Sequence, residues 1–192
     1  MKRSAVLTIL LAASALLTQC TEKKTLYSED KENNYVIEET KADKPSPLMI
    51  LTGKIDGVDL VLQYGSPSVK GRPIWGALVP FDSVWRTGAN EATNIEFKED
   101  VLIEGKLLAK GKYGLFTLPD NEDNWTFIFN SVSDQWGAYD YEASKDVLRV
   151  NVTSTKLNTQ KERMNFLLDQ STNTIAFQWD SLQVGFTCTK AQ

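Results

Sequence analysis

The sequence predicts an all-β protein, an antiparallel sandwich with a closed β-barrel as the alternative. Three observations carry that expectation. Apolar residues recur at every second position in run after run, the period of a half-buried strand. No stretch beyond residue 48 holds a 3.6-residue apolar period framed by helix caps. Turn-forming pairs and polar clusters separate the runs at short, regular spacing, as in sandwiches. The 192 residues leave room for one ordinary domain, large enough to fold without disulfides or a structural metal.

The elements follow in chain order. Lys2 and Arg3 precede an apolar run from Ala5 to Leu17, too short for a membrane-spanning helix, which needs about 20 residues, but suited to a signal peptide. The run ends in Leu17-Thr18-Gln19-Cys20, which resembles the lipobox of bacterial lipoproteins. That resemblance implies that residues 1–19 are a signal peptide, that Cys20 is the first mature residue, and that its thiol carries diacylglycerol. Gln19 departs from the usual small residue. The alternative is cleavage after Ala13-Ser14-Ala15, which releases a soluble product. Residues 20–47 are dense in both charges and poor in large apolar side chains, so they are expected to form a disordered, lipid-anchored tether, stiffened at its end by Pro45 and Pro47. The folded domain is expected over residues 48–192.

Within that domain Val58, Leu60, Leu62 and Tyr64 alternate, as do Ile95 and Phe97, then Val101 and Ile103. Tyr113 and Leu115 point one way and Phe116 and Leu118 the other, so this strand is expected to be buried on both faces. Trp125, Phe127 and Phe129 alternate, followed by Leu148, Val150 and Val152, then Met164, Phe166 and Leu168. Ile175, Phe177 and Trp179 occupy odd positions; Leu182, Val184, Phe186 and Cys188 occupy even ones. The parity switch at Asp180-Ser181 predicts a tight hairpin between two strands facing one core. Further turns are expected at Glu104-Gly105, at Lys110-Gly111 and over Asp120 to Asn124.

Composition removes several function classes. There is no histidine and there are only two cysteines, Cys20 and Cys188. Ser-His-Asp and Cys-His catalysis, histidine acid/base chemistry and His- or Cys-ligated metals therefore have no residues to use. No Asp/Asn/Gly loop has calcium-binding spacing, and no cofactor is expected. The formal charge is −4, and −6 once Lys2 and Arg3 are removed, so the basic footprint of nucleic-acid binding is missing. Cys188, in register with the apolar positions, reads as a buried small hydrophobe.

One stretch breaks the alternation. It holds Pro67-Ser68-Val69-Lys70-Gly71-Arg72 and Trp85-Arg86-Thr87-Gly88-Ala89-Asn90-Glu91-Ala92-Thr93. Later come Gly111-Lys112-Tyr113-Gly114-Leu115-Phe116, Gln135-Trp136-Gly137-Ala138-Tyr139 and Asp146-Val147-Leu148-Arg149-Val150. These runs, in this order, resemble the bacterial family termed domain of unknown function 2911, from about residue 50 to the end. The resemblance implies an exported protein and carries no activity.

Two loop-like segments have side chains suited to recognition. The first holds Arg72, Trp75, Trp85, Arg86, Thr87, Asn90 and Glu91; the second holds Asp134, Gln135, Trp136, Tyr139 and Tyr141. If they meet, flat aromatic faces and forked polar groups would form a cleft for a glycan or a peptide; a protein partner is the other possibility. The simpler alternative is packing, with Trp75 and Trp85 as core plugs and Arg86–Glu91 as a buried pair that fixes geometry. An enzyme would have to be a carboxylate-based hydrolase, Glu91 with Asp82 or Asp134. The leading expectation is an envelope lipoprotein acting as a binding or accessory module. A purely structural role is the third option.

Overall fold

A computed structural model describes residues 25–40 and 44–192. Cys20 and the expected signal peptide lie outside the described residues. Twelve strands are present among those described: β1 Thr25–Asp30, β2 Tyr35–Thr40, β3 Leu48–Ile55, β4 Val58–Gly65, β5 Asn94–Phe97, β6 Val101–Ile103, β7 Lys106–Leu108, β8 Gly111–Pro119, β9 Asn124–Asn130, β10 Asp146–Thr153, β11 Thr155–Asp169 and β12 Thr174–Lys190. No α-helix occurs among the described residues, only a 3-10 turn at Ala143–Lys145. An eight-stranded antiparallel sheet, ordered β1-β2-β3-β4-β5-β8-β9-β10, faces a four-stranded sheet ordered β11-β12-β6-β7. The sheets do not close into a barrel, so the sandwich is the correct alternative.

Turn chemistry explains the tightest connections. Asp56-Gly57 and Glu104-Gly105 both take positive φ at both positions, the geometry whose twist matches flanking strands. They join β3 to β4 and β6 to β7. At the β8–β9 turn the Asn121 carboxamide oxygen accepts the backbone N–H groups of Asp123 and Asn124, so a side chain stands in for a backbone turn partner.

The alternating residues form one core. Leu60, Leu62, Ile95, Phe127, Phe129, Phe166, Phe177 and Phe186 are buried within it, as is Cys188. Burial pushes the Cys188 thiol up to about 12, consistent with an inert hydrophobe. β8 is covered on both faces: Leu115 lies in the main core, while Phe116 packs outward in a second cluster with Ala92 and Ile128, beside Val84, Ala138 and Tyr141.

Two expectations need correction. The parity switch at Asp180-Ser181 is not a hairpin. β12 runs unbroken from Thr174 to Lys190, and Asp180 takes φ 50°. It is an irregularity that turns the side-chain alternation over without reversing the chain. Trp179 and Leu182 both remain buried. The second concerns the tether. Residues 25–40 form the hairpin β1–β2, and β2 pairs with β3 along its whole length. This hairpin has too few apolar residues for a core of its own. It uses an existing one: the open edge of β3 supplies backbone partners, and Ile37 is buried in the main core.

Candidate functional site

The chain between β4 and β5 stitches the two sheets together. Its first part bonds to β11: Val69 N–H donates to Glu162 O (2.7 Å) and Met164 N–H to Pro67 O (2.9 Å). Further on it bonds to β8, where Trp85 and Thr117 exchange backbone hydrogen bonds of 2.7 and 2.9 Å. The segment therefore spans the gap between the layers, and its aromatic residues fill the space. Trp75 meets Trp125 and Trp179 edge-on at 5.3 and 5.6 Å, and Trp85 stacks on Trp179 at 5.9 Å. Trp75 and Trp85 thus pack as core plugs. The Trp85 indole N–H is committed to Gly88 O.

The two loop segments do meet. Glu91 and Trp136 form an isolated β-bridge; Ala92 N–H donates to Gln135 O (3.0 Å) and Gly137 N–H to Asn90 O (3.1 Å). Both segments lie over the outer face of β8 and β9, sealed by Phe116, Ile128 and Ala92 beneath. The second segment is anchored at its far end, where the Tyr141 hydroxyl donates to Asp146 (2.7 Å) and Arg149 donates to both. Burial, then the Asp146 carboxylate, pushes the Tyr141 phenol up to about 12. This ties down a loop that has no strand of its own.

A cavity of about 390 Å³ opens at the junction, lined by Gln63, Glu91, Asn94, Ser133, Asp134 and Gln135 among others. The Gln135 amide nitrogen is buried without an acceptor. Asp134 is exposed and pairs with Lys112 at 2.9 Å; that hydrogen bond holds its carboxyl below the usual range, so Asp134 stays ionised and is poorly suited to be a general acid. Trp136 is 55% exposed and Tyr139 is 82% exposed. Neither lines the cavity wall, but Trp136 follows Gln135 and is bridged to Glu91.

A second cavity, of about 300 Å³, lies on the other side of the Ala89-Asn90-Glu91 turn, against Arg72, Trp85, Arg86, Asn90 and Trp179. Arg72 donates to Ser68 O and Val69 O, holding the start of the crossover. Asn90 donates to Ser46 O. The expected Arg86–Glu91 pair does not form. Asp82 is exposed and lines neither cavity, so of the two expected partners for Glu91 only Asp134 shares its cavity. Among the described residues no group of acids and cysteines is arranged to hold a metal ion.

Sequence reasoning missed Gln63 and Asn94, because in the sequence they are ordinary polar positions on strands. Only the pairing of β4 with β5, Gln63 opposite Asn94, brings them to one wall.

A family model described as protein of unknown function (DUF2911) matches residues 46–188. The chain belongs to this family. The matched stretch holds both loop segments and both cavities' principal side chains, whereas the β1–β2 hairpin precedes it. No curated protein and no solved structure matches the chain. DUF2911 membership thus carries a shared sequence pattern and no assigned activity.

Proposed function

We propose that this DUF2911 protein is a binding module for a glycan, held at a bacterial envelope membrane by a lipid on Cys20. The observation that carries the binding half is the junction cavity. It is of ligand size, its polar side chains are mostly amides and carboxylates, and the Gln135 amide is buried with donors unspent. Carboxamides and carboxylates are the groups that fork hydrogen bonds to vicinal hydroxyls. Trp136 stands exposed beside them with its backbone fixed by the bridge to Glu91, as a stacking surface requires. The lipobox-like run supports the anchoring half.

Affinity electrophoresis in gels carrying soluble polysaccharides tests the binding: the full-length chain should be retarded and Trp136→Ala should not. Equal migration of both in every gel would count against a glycan and favour a peptide or protein partner. In cells, Cys20→Ser should move the protein from the membrane fraction to the soluble fraction; unchanged partitioning would remove the lipid anchor.

A second reading, hydrolysis centred on Glu91, is favoured by Glu91 and Asp134 lining one cavity. Glu91→Gln separates the two. A binding module keeps its ligand and shows no turnover in either form, whereas a hydrolase loses turnover while still binding.

A further inference from the structure

We infer that the cavity beneath Arg86 is a binding site for a small organic carboxylate, separate from the glycan site and independent of it. Arg86 is half-buried. Its Nε is shut away from water with no acceptor, and its guanidinium makes no hydrogen bond or ion pair with any other described residue. An unpaired, partly dehydrated guanidinium is a cost that folding alone does not offset. The chain is otherwise acidic, with a formal charge of −4, so carboxylates to pair with it are plentiful. None stands among the described residues that line this cavity.

The rest of the wall is of matching character. Arg72 lines the same cavity, with only its Nε and one terminal nitrogen committed to backbone carbonyls. Trp179, 1% exposed, also lines it and has an indole N–H without an acceptor. Two of the lining residues are cationic and none is anionic. Leu78, Val79, Pro67 and the ring of Trp85 supply an apolar wall. A bare inorganic ion would leave that wall, and most of about 300 Å³, unused. A carboxylate on an apolar body fits both halves: the head takes a two-point bond from the Arg86 fork, and the body packs on Trp85 and Leu78.

Isothermal titration of the full-length protein tests this with three probes: N-acetyl-leucine, N-acetyl-leucine amide and inorganic phosphate. The acid should bind, and the amide should bind roughly tenfold more weakly or worse, since it forfeits the charge-assisted pair. Arg86→Gln should lose the acid to the same extent while unfolding at or above the wild-type midpoint, because its guanidinium bonds nothing in the protein and its partial burial carries a cost. Arg86→Lys, which keeps the charge without the fork, should recover only part. Equal binding of acid and amide, undiminished binding of the acid by Arg86→Gln, or no heat from any probe would overturn the assignment. Binding of phosphate without the acid would overturn its organic half.

Discussion

Gly65 ends β4 with its backbone pressed against the turn that carries Asn90 and Glu91. A Cβ built there would lie 2.0 Å from the Ala89 carbonyl oxygen, a backbone atom that cannot swing aside. Gly65 O also accepts the Ala89 N–H at 3.2 Å. The absence of a side chain thus allows the Ala89-Asn90-Glu91 turn to ride directly on the strand, and it sets where Glu91 and Asn90 point their side chains. Gly65→Ala should force the two backbones apart and cost about 2–4 kcal/mol. The urea midpoint would fall correspondingly, and a midpoint within error of wild type would show that the contact is not tight. The candidate side chains divide at this scale according to neighbours that sequence spacing does not reveal. Trp136 and Tyr139 stand exposed, in a run that lacks apolar alternation. Trp75 and Trp85 sit in similar surroundings in the sequence yet are buried, since the face that takes them is built by Trp125 and Trp179, far away in the chain.

At the scale of elements, the alternating pattern located the strands beyond residue 58 except the short β7 and the first half of β11, because a period of two leaves only one way to bury one face. It failed where the backbone departs from that period. In β12 the change of parity at Asp180 has the same signature as a hairpin turn, and only the partner strand distinguishes them. Here β11 continues opposite both halves, pairing Phe166 with Phe177 and Lys156 with Leu182. The β1–β2 hairpin failed for a different reason. Composition reports whether a segment can fold alone, and this one folds onto the edge of β3. Gln170, in the turn between β11 and β12, adds a tie by donating to Asn33 O at 2.8 Å, so the hairpin touches the second sheet as well. Ile37→Ala should therefore destabilise the whole domain by about 2–4 kcal/mol, whereas Leu26→Ala, 62% exposed on β1, should cost nearly nothing. Denaturant unfolding of the two variants checks this; equal, negligible effects would mean the hairpin does not share the core's cooperativity.

Over the whole molecule, two sheets provide a rigid support, and one long crossover meets the β9–β10 loop at the candidate site. The crossover bonds first to β11 and then to β8, so it must be irregular, and its backbone leaves strand geometry where Thr87 and Asn90 take φ of 53° and 64°. Irregular backbone held by a sandwich is where binding residues collect. The same arrangement separates an acidic cavity with Glu91 and Asp134 from a basic one with Arg72 and Arg86 by a single turn. The fold class was legible in the sequence because it depends on local alternation. The juxtaposition of Gln63, Asn94 and Gln135 was not, because it depends on which strands pair.

The loop junction is proposed to bind a ligand. A thermal-shift screen of the full-length protein against cell-wall glycan fragments and other oligosaccharides tests it most directly, with Trp136→Ala run in parallel. A ligand present at 100 times its dissociation constant adds about 2.7 kcal/mol, so a true ligand should raise the midpoint of the wild type and leave Trp136→Ala unmoved. A shift of equal size in both proteins, or no shift with any glycan, would contradict the claim.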